Sequence, residues 1–210
     1  MIRNPVKIVL ALGVLALAGI LALYVDNTTL PIGEKPRQFK DLGGKFHLNS
    51  ASGSVDLDEY KDKVVVLYFG YLNCAEVCPS SMGVMSASFK YLSEEIYDKT
   101  QGFFVSVDPE RDDLESINEF AQYFDKQILG LTGTEEEIQT ITDQYGVYID
   151  LVDMSSSELA YTVDHASRFY IIDPAGQLVD SLSHSTTPIE LAARIERALE
   201  EYNSNTGNAS

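Results

Sequence analysis

Basic residues are scarce in this chain, and so are cysteine and histidine. It has 15 lysines and arginines against 32 aspartates and glutamates, which gives a formal net charge of -17. A protein of this charge repels phosphate backbones, so we do not expect nucleic acid as a partner. There are only two cysteines and three histidines, so few side chains can supply thiol chemistry or soft metal ligands. The apolar content of 45% is that of an ordinary globular protein.

The single long apolar run lies at the N-terminus, from Val6 to Val25, and Arg3 and Lys7 stand at its start. A helix of this length roughly matches a bilayer core of about 30 Å. Because the positive charges precede the run and Asp26 follows it, the N-terminus is expected in the cytoplasm and the rest of the chain outside it. A cleavable signal is the alternative, but apolar residues continue past its candidate cleavage site, which favours a retained anchor.

Composition then divides the chain into four segments. Residues 1–26 are the predicted membrane anchor, and residues 27–38, which are polar and contain two prolines and a glycine, are a linker. Residues 39–202 form one domain, and residues 203–210 are too polar to pack and are predicted to be a disordered tail. We expect a single-pass protein of a bacterial inner membrane whose C-terminal domain lies in the periplasm.

Within the domain, predicted strands and helices alternate. Lys63–Gly70 and Gly102–Asp108 are rich in β-branched and aromatic residues, which is typical of central strands buried on both faces. A helix between them, Ser80–Tyr97, completes a parallel β-α-β unit. The remaining elements are predicted helices at Asp113–Phe124 and Glu135–Tyr145, a strand at Ile128–Leu131, a hairpin of Arg168–Ile172 with Gln177–Ser183, and a terminal helix from Pro188. This order predicts an α/β domain of the thioredoxin type, in which helices flank a mixed central sheet.

The two cysteines come directly after the first of these strands. Cys74 and Cys78 are four residues apart at a strand-to-helix junction, so both sulfurs can face one side and form a chelate. Pro79 suits a first helical turn, which places Cys78 near a helix N-terminus. The free N–H groups there favour thiolate, the form that binds metal or attacks a disulfide. The alternative is a structural disulfide between the two cysteines, but a disulfide that closes so short a loop stabilises the folded protein little.

A metal held by two cysteines needs a further ligand, and His47, His165 and His184 are the candidates. His165 is favoured because it lies in a polar segment, expected to be a loop, just before the strand at Arg168. In a thioredoxin-like fold this loop lies beside the N-terminus of the first main helix. The other two histidines are interpreted as structural residues. Two thiolates with one imidazole suit copper, as Cu(I) or Cu(II), although zinc accepts the same donors.

The sequence resembles the Sco/SenC family of cytochrome oxidase assembly proteins, and the likeness runs from about Phe39 to Tyr202. Three motifs carry the resemblance, in the order that the family has them. They are Tyr68-Phe69-Gly70 followed by Cys74 and Cys78-Pro79, Val107-Asp108-Pro109-Glu110-Arg111-Asp112, and Val163-Asp164-His165-Ala166 followed by Asp173-Pro174-Ala175-Gly176.

The resemblance implies a thioredoxin-like fold in which Cys74, Cys78 and His165 bind copper. It also implies a metallochaperone that delivers copper to, or prepares, the copper site of a respiratory cytochrome oxidase. The expected partners are the copper-receiving oxidase subunit and an upstream copper donor or thiol reductant. The alternative is an extracytoplasmic thiol-disulfide oxidoreductase that reduces the cysteines of that site, in which Cys74 and Cys78 are the redox residues and no histidine is required.

The charged loop Asp108–Asp112 allows two interpretations. Asp108, Glu110 and Arg111 either form a docking surface for a partner or simply end a strand, with Arg111 paired to a neighbouring acid.

Overall fold

The computed structural model describes residues 39–153, 161–165 and 167–207, and it describes side chains for residues 39–149 and 167–207. These residues belong to a unit that begins at Phe39. The predicted anchor and linker, residues 1–38, lie outside the described residues. No helix in the described ranges has both the length and the apolar character that a membrane span requires.

The described residues form nine strands and five α-helices, and two short 3-10 helices lie at Phe39–Asp41 and Leu57–Tyr60. The strands are β1 (His47–Ser50), β2 (Gly53–Asp56), β3 (Val64–Gly70), β4 (Thr100–Ser106), β5 (Ile128–Leu131), β6 (Ile149–Asp153), β7 (Tyr161–His165), β8 (Arg168–Ile172) and β9 (Leu178–Ser183). The helices are α1 (Val77–Phe89), α2 (Glu94–Asp98), α3 (Leu114–Phe124), α4 (Glu135–Tyr145) and α5 (Pro188–Gly207).

A five-stranded sheet in the order β5-β4-β3-β8-β9 forms the centre of the domain. Strand β3 pairs in parallel with β4, from Val64 opposite Thr100 to Gly70 opposite Ser106, and antiparallel with β8 on its other side. Two antiparallel hairpins, β1-β2 and β6-β7, are separate from this sheet. The predicted mixed α/β architecture is therefore confirmed.

Alternating residues of β3 supply two cores, one on each face of the sheet. Val65, Leu67 and Phe69 pack with residues of α4, whereas Val64, Val66 and Tyr68 pack with residues of α1, α3 and α5. All seven residues of β3 are buried, which explains why the strand reads as a continuous apolar run. Helices thus flank the sheet on both sides, and β3 lies at its middle.

Several boundaries differ from the sequence prediction. The helix expected at Ser80–Tyr97 is two helices, because the chain turns after Phe89 and the Ser93 side chain accepts the Ile96 N–H to cap α2. Helix α5 continues to Gly207, into the segment expected to be an unpacked tail, and residues 203–207 are exposed. The hairpins β1-β2 and β6-β7 were not predicted.

We predict that Gly130→Ala, in β5, destabilises the domain by about 1–3 kcal/mol, the usual cost of overpacking. A Cβ at this position would lie 2.5 Å from the Ile117 carbonyl oxygen of α3, so the backbone would have to move. Urea denaturation measures the effect.

Gly83→Ala is the matched control, because a Cβ there meets no atom within 4 Å and the residue lies inside α1. This change should stabilise the domain by about 0.5–1 kcal/mol. Equal effects of the two variants would contradict the packing described for β5 and α3.

Candidate metal centre

The two cysteines lie at the junction between β3 and α1. Strand β3 ends at Gly70 and α1 begins at Val77, so Cys74 is in the connecting turn and Cys78 is in the first turn of the helix. Neither forms a disulfide bond; Cys74 is partly buried and Cys78 is fully buried. Cys74 is thus the more accessible of the two.

The Cys74 sulfur accepts a hydrogen bond from the first turn of α1. The Cys78 N–H donates to it at 3.3 Å, and the Cys74 N–H donates to the Tyr71 carbonyl at 3.3 Å. Glu76, the N-cap residue, makes no side-chain cap. The sulfur therefore satisfies a helix N-H group that would otherwise lack an acceptor, at the positive end of the helix dipole. This arrangement brings the two cysteines together, as the spacing predicted.

The Cys78 sulfur packs against the end of β3. A Cβ on Gly70 would lie 2.8 Å from it, so only glycine leaves room for the sulfur. The Tyr71 N–H donates to it, and the Tyr68 side chain packs in the same core. The neighbouring Cys74 side chain and then burial nevertheless raise the pKa of Cys78 well above the ordinary value of a thiol.

This result differs from the expectation that the helix N-terminus would favour a Cys78 thiolate, because contact with Cys74 and burial outweigh the dipole. Cys78 holds its proton in the metal-free pair. A metal that binds both sulfurs must therefore displace that proton.

Asp112, which the sequence analysis did not single out, fixes the turn that carries Cys74. It is only 4% exposed, and its Oδ2 accepts the Leu72 N–H at 2.9 Å and the Ser106 hydroxyl at 2.6 Å. Ser106 ends β4, so this carboxylate ties the cysteine turn to the neighbouring strand. Its place four residues after Asp108 in an acidic loop gave no sign of burial.

Arg111 is paired with Asp108: the guanidinium donates through Nε to the carboxylate and forms an ion pair with it at 2.5 Å. Asp108 is buried and Arg111 is mostly buried. Arg111 thus pairs with a neighbouring acid, but that acid is buried and does not lie on the surface, whereas Glu110 is exposed.

His165 is the last residue of β7, where it pairs with Ile149 of β6. The expectation that it lies in a loop is therefore wrong, because the segment before β8 forms a hairpin. The His165 side chain lies outside the described side chains.

Ile149 lines a cavity of about 280 Å³ together with Val107 and Asp108, and the Val107 N–H donates to the Gly70 carbonyl at 2.8 Å. The backbone of His165 is thus at the same edge of the sheet as the cysteine turn.

Ser167 gives a second measure of this proximity. Its side chain lies beside Tyr68, which packs in the same core as Cys78. Since two residues of chain span at most about 7 Å, the His165 backbone lies within that distance of Ser167.

The other two histidines are exposed. His47 begins β1, and its Nδ1 lies 4.0 Å from an Asp56 carboxylate oxygen. His184 follows β9, and its backbone N–H donates to the Ser167 carbonyl at 3.1 Å. His184 therefore also lies near this segment, which makes it a useful control for His165.

Two thiols in contact provide the sulfur part of a metal site. Among the side chains that the structure describes, no group of three cysteine, histidine or acidic residues is placed to hold a metal ion. A third ligand must therefore come from a side chain outside that set, from a partner or from solvent. The two sulfurs fit a soft metal ion.

The family model described as SCO1/SenC matches residues 34–200 of the chain. The chain belongs to the SCO1/SenC family. Among curated relatives, the protein SCO2, mitochondrial, of Saccharomyces cerevisiae is 32% identical over 162 residues, which cover 77% of this chain and 54% of the yeast protein. The chain thus spans about half the length of that family member.

Solved structures of the family agree with the fold. Bradyrhizobium japonicum ScoI with copper bound is 33% identical, with a TM-score of 0.67 over 75% of this chain and 99% of that one. BsSco, described as a member of the Sco family of cytochrome c oxidase assembly proteins, is 23% identical, with a TM-score of 0.59 over 80% of this chain and 98% of its own. The second likeness shows the shared fold alone.

Asp112→Asn should change how folding stability depends on pH. Burial is the main cause that raises the pKa of Asp112 above 3.8, so the folded protein keeps this proton to a higher pH than the unfolded chain does. As the pH rises from below 3.8 to 7, the free energy of unfolding of the wild type should fall relative to that of the variant. Urea denaturation over a series of pH values measures this difference.

Asp113→Asn is the control, for which the change of folding stability with pH should have the opposite sign. Asp113 caps α3, and hydrogen bonds from Ser116 lower the pKa of its carboxyl group, so its contribution is present at neutral pH and lost in acid. The wild type should therefore gain stability relative to this variant as the pH rises. The same slope for both variants would contradict the burial of Asp112.

Proposed function

We propose that this protein binds copper through Cys74, Cys78 and His165 and serves in assembling the copper centre of a respiratory cytochrome oxidase. The observation that carries the proposal is the close approach of the Cys74 and Cys78 thiols beside the start of α1, with Cys74 only partly buried. Membership of the SCO1/SenC family supports copper as the metal, since a solved family member holds copper.

The chemistry of the donors suits transfer of copper rather than permanent storage. Thiolate sulfur is a soft donor that stabilises Cu(I), and an imidazole also tolerates Cu(II). Cys74 is the less buried of the two cysteines and so the more accessible to the ligands of an incoming protein. A three-ligand site leaves a position through which a partner's ligand could enter, so Cys74 is the first ligand we expect to be exchanged.

The partners and location that we propose follow from the same family assignment. The copper-receiving oxidase subunit is the proposed target, and a copper donor or thiol reductant acts upstream. The domain is proposed to lie in the periplasm of a bacterium, held to the inner membrane by residues 1–26. The basic residues that precede the apolar run support this orientation.

His165→Ala should weaken Cu(II) binding by more than about tenfold. Removing a residue that only hydrogen-bonds to a metal ligand already lowers metal affinity by about tenfold or more, and His165 is proposed to be a ligand itself. The soluble domain, residues 39–210, is reduced and loaded anaerobically, and bound copper and thiolate-to-copper absorption are measured against a competing chelator. His184→Ala is the matched control, because His184 lies beside the same segment and should leave binding unchanged.

Two results would count against this site. Unchanged affinity in His165→Ala would remove His165 from it, and a loss confined to His184→Ala would transfer the role to that residue. Failure of the wild-type domain to retain about one copper per chain would overturn the copper proposal itself.

Thiol-disulfide exchange is the second candidate, and the partly buried Cys74 beside the fully buried Cys78 favours it. In that reaction the Cys74 sulfur would attack a disulfide of the oxidase copper site, and Cys78 would then displace the reduced target and close the Cys74–Cys78 bond. No histidine takes part. Reduction of a disulfide-bonded copper-site peptide should therefore survive His165→Ala, whereas copper delivery should not, and this difference separates the two roles.

A further inference from the structure

The Asp112 carboxylate joins two parts of the chain that are far apart in sequence. One of its oxygens, Oδ2, accepts both the Leu72 N–H at 2.9 Å and the Ser106 hydroxyl at 2.6 Å. Leu72 lies in the turn that carries Cys74, whereas Ser106 is the fully buried last residue of β4. A single oxygen atom therefore sets the distance between the cysteine turn and the end of the neighbouring strand.

Ser106 extends this connection to the loop that follows β4. Its hydroxyl oxygen also accepts the Asp108 N–H at 3.2 Å, and the Asp112 N–H donates back to the Asp108 carbonyl at 3.0 Å. Asp108 lines the same cavity as Ile149, which pairs with His165 in the β6-β7 hairpin. The buried carboxylate thus stands between the cysteine turn and the loop beside which that hairpin begins.

The burial of this network makes its geometry costly to change. Asp112 is 4% exposed and Ser106 is fully buried, so water has little access to the hydrogen bonds between them. Without the carboxylate, the Leu72 N–H and the Ser106 hydroxyl would have to find other acceptors, because a buried polar group without a partner costs free energy. The cysteine turn would then have to move.

We propose that Asp112 is a positioning residue that holds the cysteine turn so that the Cys74 sulfur meets both Cys78 and the hairpin that carries His165. The inference rests on the copper site proposed above and deepens it. Asp112 acts through the backbone of the turn, two residues before Cys74. Groups that orient metal ligands without touching the metal change metal affinity in this way.

Asp112→Ala removes the acceptor, whereas Asp112→Asn keeps an oxygen that can accept both hydrogen bonds. The full chain is reduced and loaded with copper anaerobically. We expect Asp112→Ala to lower Cu(II) affinity by about 10- to 100-fold and to shift the thiolate-to-copper absorption band, and Asp112→Asn to restore both.

Asp113→Ala is the matched control. It removes the next carboxylate along the chain, which is exposed and caps α3 by accepting the Ser116 N–H at 2.9 Å. This change alters charge and stability but leaves the cysteine turn in place, so copper affinity and absorption should stay at their wild-type values.

A second measurement needs no copper. The metal-free dithiol is equilibrated with oxidised glutathione, so that two protein thiols are oxidised to one Cys74–Cys78 disulfide while one glutathione disulfide is reduced to two thiols. The equilibrium constant reports the effective concentration of one cysteine thiol at the other. A turn without its anchor brings the sulfurs together less often. We therefore expect Asp112→Ala to lower the constant by about fivefold, which corresponds to ~20 mV, and Asp112→Asn and Asp113→Ala to leave it unchanged.

The outcomes separate this inference from the proposed function. If the wild type fails to bind copper, the proposed function is overturned, and the glutathione equilibrium alone decides whether Asp112 positions the thiols. If Asp112→Ala behaves like Asp113→Ala, or Asp112→Asn is as impaired as Asp112→Ala, the inference is overturned and copper binding stands. Should Asp112→Ala fail to fold, Ser106→Ala takes its place: both quantities should fall, and wild-type values would overturn the inference.

Discussion

The sulfur of Cys78 lies directly against the end of β3, in space that exists because residue 70 has no side chain. This close contact decides where α1 begins and which way its first turn faces. The helix start in turn brings the Cys78 N–H onto the Cys74 sulfur, so that the two sulfurs share one environment. A bulkier residue at the strand end would move the helix, and the thiol pair would move with it.

The rest of the domain holds this junction in place from several sides. Asp112 ties the cysteine turn to the end of β4, and Tyr68 packs from β3 into the core that α1 covers. Asp112 is buried, which strengthens its two hydrogen bonds and also makes the loss of either one costly. The turn is therefore rigid where it meets the sheet, whereas the Cys74 side chain stays half-exposed. Rigid support with one accessible sulfur suits a site that receives and releases a metal ion.

Much of the fold could be predicted because its strongest signals are local. The apolar run of β3 and the capping pattern around α5, in which the Glu190 carboxylate accepts the Thr187 N–H, are visible in the sequence. The position and spacing of Cys74 and Cys78 also predicted their contact. The hairpin β6-β7 was missed, and for this reason His165 was expected in a loop.

The supporting residues could not be predicted, because nothing local distinguishes them. Asp112 belongs to a run of charged residues and looks like a solvated acid, yet long-range contacts bury it against Leu72 and Ser106. Tyr68 looks like any other aromatic residue of a central strand, and only the fold shows that it packs in the same core as Cys78. The raised pKa of Cys78 likewise depends on the contact with Cys74 and on burial, which the fold creates.

X-ray absorption of the copper-loaded domain tests the central claim most directly, because it counts the atoms bound to the metal. We predict two sulfurs and one imidazole nitrogen per copper in the wild type, with the nitrogen lost in His165→Ala and both sulfurs kept. A spectrum that requires only one sulfur, or none, would contradict the claim that Cys74 and Cys78 bind the metal together.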